Sequence, residues 1–232
     1  MENSIFKLVN YLELNEDFVS YKGNIICEKD LNIRINSHHY ATAMILSTMI
    51  QEYVVGFLFV NGLINSFSDI ISMKIHNNDA DIILKDNIAK RKIQRTLQSN
   101  LLISREDIFK YVSAILKSSV FRETEAVHSA GLFLKGNAVS IAEDIGRHNA
   151  LDKIIGAGLI QQVDFDDTIA VSTGRQPTEM ILKCFSAGIP VIATKGVATS
   201  SAVELAEEVG ITIVGLVRQE SMIVYSHPER LR

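Results

Sequence analysis

The chain has 232 residues, 47% of them hydrophobic, with 23 basic and 27 acidic side chains and a formal net charge of −4. That length supports one large or two modest domains with a real core, and the slight acidic excess, without a basic patch, argues against a nucleic-acid-binding role. No apolar run approaches the roughly 20 residues of a membrane span, and the two cysteines, Cys27 and Cys184, each stand alone, so neither a Cys-x-x-Cys zinc site nor a disulfide framework is available.

The opening segment, MENSIFKLVNYLELNEDF, has no basic start, continuous apolar core or small-residue cleavage site, so a cytoplasmic protein is expected. Residues 18–36 alternate in patches around Lys22-Gly23-Asn24 and predict a β-hairpin turning there. LSTMIQEYVVGFLFVNG follows with Thr48 and Gln51 at capping-box spacing, predicting an apolar helix that stops near Gly62 and lies against the first sheet. ISMKIHNNDADIILKD reads as a second hairpin around Asn77-Asn78-Asp79. Residues 85–104 are charged and weakly patterned, and read as a linker or mobile loop. REDIFKYVSAILKSS has helical spacing at Ile108, Val112, Ile115 and Leu116.

From there short β-rich runs alternate with helical stretches: GLFLKGNAVSIAED, a helix opening at IGRHN, DTIAVST, a helix from Pro177, IPVIATK, a helix from Ser201, and ITIVGLV, with MIVYSH as an edge strand. The rhythm predicts a layered, at least partly parallel α/β sheet. The expected organisation is therefore α/β: a smaller N-terminal α+β domain over 1–104 that includes the linker, and an α/β domain over 105–232. Neither Gly-x-Gly-x-x-Gly nor a P-loop signature is present, so a standard dinucleotide or NTP site is not indicated.

Ligands of open α/β sheets sit beyond the carboxyl ends of the strands, and the unusual residues fall there three times. The first junction carries Glu143, Asp144, Arg147, His148 and Asn149. The second carries Ser172, Thr173, Gly174 and Arg175, with Pro177 suited to the first helical position. The third carries Lys195, Gly196, Thr199 and Ser200, with Ser201 and Glu204 at capping-box spacing. Helix N-termini with free backbone N–H groups bind anions, and Arg147, Arg175 and Lys195 add charge-assisted contacts. A phosphate-sized anion site is the reading, against ordinary helix capping at each junction.

Asp144, His148 and Asp152, four apart, are expected along one helical stripe. Two readings stay open: His148 as proton carrier or base-edge reader, or a structural network in which Asp152 orients His148 and the acids cap the helix. His128, in TEAVHSAG, is a polar residue in a small, apolar run.

EDIGRHNALDKIIG, STGRQPTEM, GVATSSAVELAEE, VGLVR and VYSHPERL, in that order, resemble the formate dehydrogenase accessory sulfurtransferase family, closely over residues 128–231 and more weakly through EYVVGFLFVNGLI. The resemblance implies a C-terminal domain similar to the cytidine deaminase fold and a dimer. It implies binding of molybdopterin guanine dinucleotide, of which GDP is a fragment, and sulfur passed from a cysteine desulfurase to that cofactor before it enters formate dehydrogenase. Carried over by position, the cofactor segment is Leu216, Val217, Arg218, Gln219, Glu220 and Ser221. The family's Cys-x-x-Cys loop corresponds to residues 88–102, where no cysteine occurs, and persulfide transfer requires a thiolate. Cys184, inside ILKCFSAG, is expected to be buried on a helix, and Cys27 lies in a predicted strand. Glu125 and Ala126 stand where the family has small residues, mostly glycine. A zinc deaminase is not expected, for want of Pro-Cys-x-x-Cys. The expectation is a cofactor-binding accessory protein that acts as carrier or maturation chaperone, with a sulfurtransferase using Cys184, Cys27 or a partner's thiol, and a module for another guanine nucleotide, as the alternatives.

Overall fold

The computed structural model describes residues 5–91, 95–117, 119–219 and 221–232. Strands β1 (Phe6–Leu14), β2 (Phe18–Ile26), β3 (Lys29–Ile35) and β4 (His38–Ile45) precede helix α1 (Ile50–Val60). Strands β5 (Ile70–His76) and β6 (Asp79–Leu84) follow, then helices α2 (Arg105–Ile115) and α3 (Ser119–Thr124). The remaining elements are β7 (His128–Leu134), β8 (Asn137–Asp144), α4 (Arg147–Ile160), β9 (Thr168–Ser172), α5 (Thr178–Ala187), β10 (Val191–Thr194), α6 (Ser200–Val209), β11 (Thr212–Gly215) and β12 (Ile223–Ser226).

They form three sheets: the β1-β2 ribbon, a four-stranded sheet ordered β4-β3-β6-β5, and a six-stranded sheet ordered β12-β11-β10-β9-β7-β8. In the large sheet β9, β10 and β11 are parallel, while β7 runs antiparallel to both β8 and β9, and β12 antiparallel to β11. The two-residue side-chain period of a strand divides this sheet cleanly. Ala170, Ile192 and Ile213 join the core beneath α4, α5 and α6, whereas Ile169, Val171, Val191, Ala193 and Val214 pack with Ile108, Tyr111, Val112 and Ile115 of α2. The first of these clusters also takes in Leu31, Ile33 and Ile82 of the small sheet and Val54, Val55 and Leu58 of α1.

The expected hairpin of residues 18–36 does not form. Lys22-Gly23-Asn24 lies inside β2, with Gly23 opposite Val9 and beneath the ring of Tyr11. The chain turns instead at 15–17 and again at Asn36-Ser37, whose φ angles of 48° and 69° suit a two-residue type I′ turn. The hairpin around Asn77, itself at φ 52°, forms as expected.

The Thr48–Gln51 capping box is also absent. Helix α1 starts after Met49, which is left-handed at φ 50° and makes no side-chain cap, while the Thr48 hydroxyl lies 3.4 Å from Lys153 Nζ. Gly62, at φ 71°, follows the helix end. Ser104 caps α2 through the Asp107 amide at 3.1 Å.

The described part of the 85–104 segment has no regular element, but it is tied down. Leu97 N donates to Val209 O, Ile103 N to Arg230 O, and Arg91 to Phe59 O and the Ser186 hydroxyl. Residues 92–94 of that stretch lie outside the described residues.

Candidate functional site

Because β8 and β9 both run antiparallel to β7, the carboxyl ends of β8, β9, β10 and β11 and the amino end of β7 share one edge of the large sheet. His128 pairs in register with Asp144 across β7 and β8, and Ala130 with Ser172 across β7 and β9. All three sequence junctions and His128 therefore reach the same rim, which spacing alone does not decide.

The three helices that leave this edge begin at Gly146, Pro177 and Thr199, and none of these N-cap residues makes a side-chain capping hydrogen bond. Their first-turn amides carry the positive end of the helix dipole without a local acceptor from the cap. Two start signals differ from expectation. Pro177 is the N-cap rather than the first helical residue, and Thr199, not Ser201, precedes α6, so the Ser201–Glu204 box does not form.

The predicted stripe of Asp144, His148 and Asp152 is not present, because Asp144 ends β8 and the helix begins only at Arg147. Asp144 turns fully inward. It pairs with Lys153 Nζ at 2.7 Å and accepts from Leu46 N, Gly146 N and the Asn149 amide. Lys153, also fully buried, donates to Leu46 O and Glu143 O, and Asn149 donates to Met44 O. This network joins the start of α4 to the segment before α1. Asp152 likewise faces inward, paired with Lys183 at 2.5 Å, and burial pushes its carboxyl up to about 6. It does not orient His148, whose Nε2 lies 3.5 Å from the Glu179 carboxylate instead.

What remains at the rim is mostly cationic, with Glu179 in the first turn of α5 as the exposed acid beside His148. Arg147 leaves its Nε buried without a partner, and Arg175, Lys195 and Arg218 are exposed. Burial first, then the neighbouring Arg147 and Arg175, lower the His128 pKa. For His148 the causes are burial, then Arg147 and Lys183, opposed by Glu179. Both imidazoles are thus held neutral at physiological pH and stand ready as neutral hydrogen-bonding groups. A Cβ on Gly174 would crowd Arg147 Cβ at 3.0 Å and Cδ at 3.1 Å, with His128 Nδ1 at 3.4 Å, so the absent side chain is what lets these two approach the second junction.

The hydroxyls of the second junction look inward. Ser172 Oγ accepts from Gly174 N, and Thr173 Oγ1 from Ser129 N, while Thr199 and Ser200 of the third junction are exposed. Leu216 takes a left-handed φ of 47°, and its amide and that of Val217 donate to Gly196 O and Thr194 O. This folds residues 216–219 back over the third junction. Arg218 then donates to Lys195 O, and its amide to Ser221 O; Glu220 lies outside the described residues. Beside this segment a cavity of about 390 Å³ opens between α2 (Phe109, Val112, Ser113, Leu116) and Lys195, Val217, Arg218 and Gln219.

Gln176, fully buried between the second and third junctions, was not singled out by the sequence reading. Its only signal is a polar residue between Arg175 and Pro177. Among the described residues no cluster of three or more metal-ligating side chains occurs. Cys184 is fully buried, with its thiol pushed up to about 12 by burial, and Cys27 is half-buried.

These features define a mixed α/β protein of three sheets with a cationic, glycine-lined rim at the carboxyl ends of its largest sheet. The chain belongs to the FdhD/NarQ family, whose model matches residues 26–100 and 86–232. It is 31% identical over 247 residues to the sulfur carrier protein FdhD of Methanothermobacter thermautotrophicus, covering 98% of this chain and 99% of the relative. It is 34% identical over 244 residues to the sulfur carrier protein FdhD of Sulfolobus acidocaldarius, covering 95% and 94%. A crystal structure from Desulfotalea psychrophila, assigned to a formate dehydrogenase accessory protein, superposes with a TM-score of 0.89 at 26% identity and covers 99% of this chain and 100% of that one.

Proposed function

We propose that this protein is a cofactor-binding accessory factor for formate dehydrogenase that holds molybdopterin guanine dinucleotide through its phosphates at the sheet rim. Residues 105–232, read as a cytidine-deaminase-like layered domain, carry that site, and the working unit is a cytoplasmic homodimer. The observation that carries the reading is the convergence of three uncapped helix N-termini with Arg147, Arg175, Lys195 and Arg218 on one edge. Backbone amides at helix starts and guanidinium forks are the donors that phosphate oxygens require. The orphaned Arg147 Nε and the glycine floor at Gly174 fit such a group, and the cavity beside residues 217–219 offers room for a planar base.

Cys184 does not support the family's thiol route, and Cys27, half-buried between β2 and β3, lies outside the segment that corresponds to the family's cysteine loop. A thiol held near 12 carries almost no thiolate at neutral pH, and residues 88–102 contain no cysteine. The protein therefore acts as a carrier, and any sulfur reaching the cofactor comes from a thiol of the desulfurase or of the recipient enzyme. Calorimetric titration with GDP, repeated on His148→Ala, tests the reading. Binding that weakens in the variant supports it, and no heat from the wild type overturns it. Persulfide detected on Cys27 or Cys184 after incubation with a cysteine desulfurase would instead favour a true sulfurtransferase.

A further inference from the structure

The second and third junction loops are bonded directly to each other. Gln176, fully buried, crosses to the third junction through its backbone, donating from its amide to Val197 O and accepting from Thr199 N at its carbonyl, while its side chain stays within its own loop and donates from Nε2 to Gly174 O. An isolated parallel bridge pairs it with Ala198. Thr194, also fully buried, places one hydroxyl between the loops, donating to Gly174 O at 2.5 Å and accepting from Gly196 N at 3.0 Å. The loops touch through backbone as well, since a Cβ on Gly196 would sit 2.8 Å from Gly174 O and 3.0 Å from Arg175 N. Gln176 Oε1 remains buried without a partner. A polar side chain buried at this cost is poorly accounted for by packing alone, because an apolar residue would fill the same space without leaving an acceptor unmatched.

We infer that Thr194, whose hydroxyl crosses between the loops, and Gln176, whose side chain holds the Gly174 carbonyl that Thr194 binds, are positioning residues that lock the two loops into one unit, so that Arg175 and Lys195 act together on a single diphosphate ligand rather than on two separate anions. The inference rests on the phosphate-binding reading above and says how that site is set. The Thr194 bond to Gly174 O, the backbone bonds from Gln176 N to Val197 O, Thr199 N to Gln176 O and Lys195 N to Ser172 O, and the Gly196 contact fix the separation of two helix N-termini beyond the end of the four-residue strand β10. Two adjacent phosphates then meet preformed donors from both loops, and little ordering remains to be done on binding. A single phosphate needs only one loop and gains nothing from their registry.

The test is calorimetric titration of the full chain with GDP and, separately, with inorganic phosphate, for the wild type, Gln176→Ala and Thr194→Val. The expected result is GDP binding weakened at least tenfold in both variants, with phosphate affinity unchanged within a factor of two. Thr194→Val is nearly isosteric and keeps the test valid where Gln176→Ala fails to fold. Unchanged GDP affinity in the variants overturns the inference while leaving the site intact. An equal loss for GDP and phosphate overturns it too, since that marks general collapse of the loops. A wild type that binds no GDP overturns the phosphate-site reading itself, and the inference with it.

Discussion

Gly56 and Gly156 meet backbone to backbone where α1 crosses α4. A methyl group on Gly56 would overlap the carbonyl oxygen of Asp152, and one on Gly156 would overlap that of Glu52. The contact is backbone on both sides, so rotamer changes cannot relieve it. Gly56→Ala or Gly156→Ala must therefore push the helices apart and open the core they share, at a cost of about 3 kcal/mol or more. Urea unfolding with the midpoint shift read at constant slope measures this; a loss below about 1 kcal/mol would mean that the crossing relaxes freely.

Asp144 and Lys153 form an ion pair in which both side chains are fully buried. Removing either partner leaves the other charge uncompensated, so Asp144→Ala and Lys153→Met should each cost about 3 to 5 kcal/mol. The double replacement should cost clearly less than the sum of the two. Because the pair anchors Gly146 and Asn149 at the start of α4, each single variant should also weaken GDP binding. Additive losses in a double-mutant cycle would show that the two groups act independently.

Arg147 and Arg175 approach the second junction from α4 and from the junction itself. Arg147→Ala and Arg175→Ala should each lower GDP affinity by about 1 to 3 kcal/mol, the range for a charge-assisted hydrogen bond. The slope of affinity against salt should also become shallower in both variants. Unchanged affinity in both would remove the anion site.

His128 and His148 supply a pH dependence of definite sign. Both are held below the usual imidazole value of about 6.5 by burial first and then by neighbouring cations. The unfolded chain therefore takes up protons near pH 6.5 that the folded chain resists. Their contribution to stability is present above about 6.5 and is lost as pH falls through the lowered folded values. A bound phosphate favours the protonated rings, so GDP affinity should rise over the same interval. Replacing both by Gln should flatten the two profiles; melting temperature and titration at pH 5.5 and 7.5 read them.

Cys184 should be inert in the native protein, because burial both hides the thiol and suppresses its ionisation. Iodoacetamide at pH 8 should label Cys27 alone, with Cys184 labelled only in denaturant, as read by peptide mass analysis. Native labelling of Cys184 at a comparable rate would contradict the burial that removes it as a sulfur carrier.

Much of this was legible in the amino-acid sequence. The alternation of β-rich and helical runs after residue 128, the helix over 105–115, the hairpin at Asn77 and the placement of Arg147, Arg175 and Lys195 just beyond strand ends all follow from periodicity and local turn chemistry. Local signals failed where a longer-range contact competed with them. Gly23 reads as a turn but serves as the space beneath Tyr11, and Thr48 reads as a cap while its hydroxyl lies beside Lys153.

What the sequence by itself determined was the set of elements and the chemistry that ends each strand, because those depend on residues within a turn or two of one another. Only the tertiary structure decided which polar residues face the rim. Asp144 and Asp152 group with His148 by spacing, yet the amines of Lys153 and Lys183 draw the two carboxylates inward. The Thr194 hydroxyl and the Gln176 backbone join the loops through hydrogen bonds to groups about twenty residues away. Strand order is the reason: the antiparallel insertion of β7 between β8 and β9 brings four carboxyl ends and His128 to one edge, and the pairing of distant strands is not written in any local period.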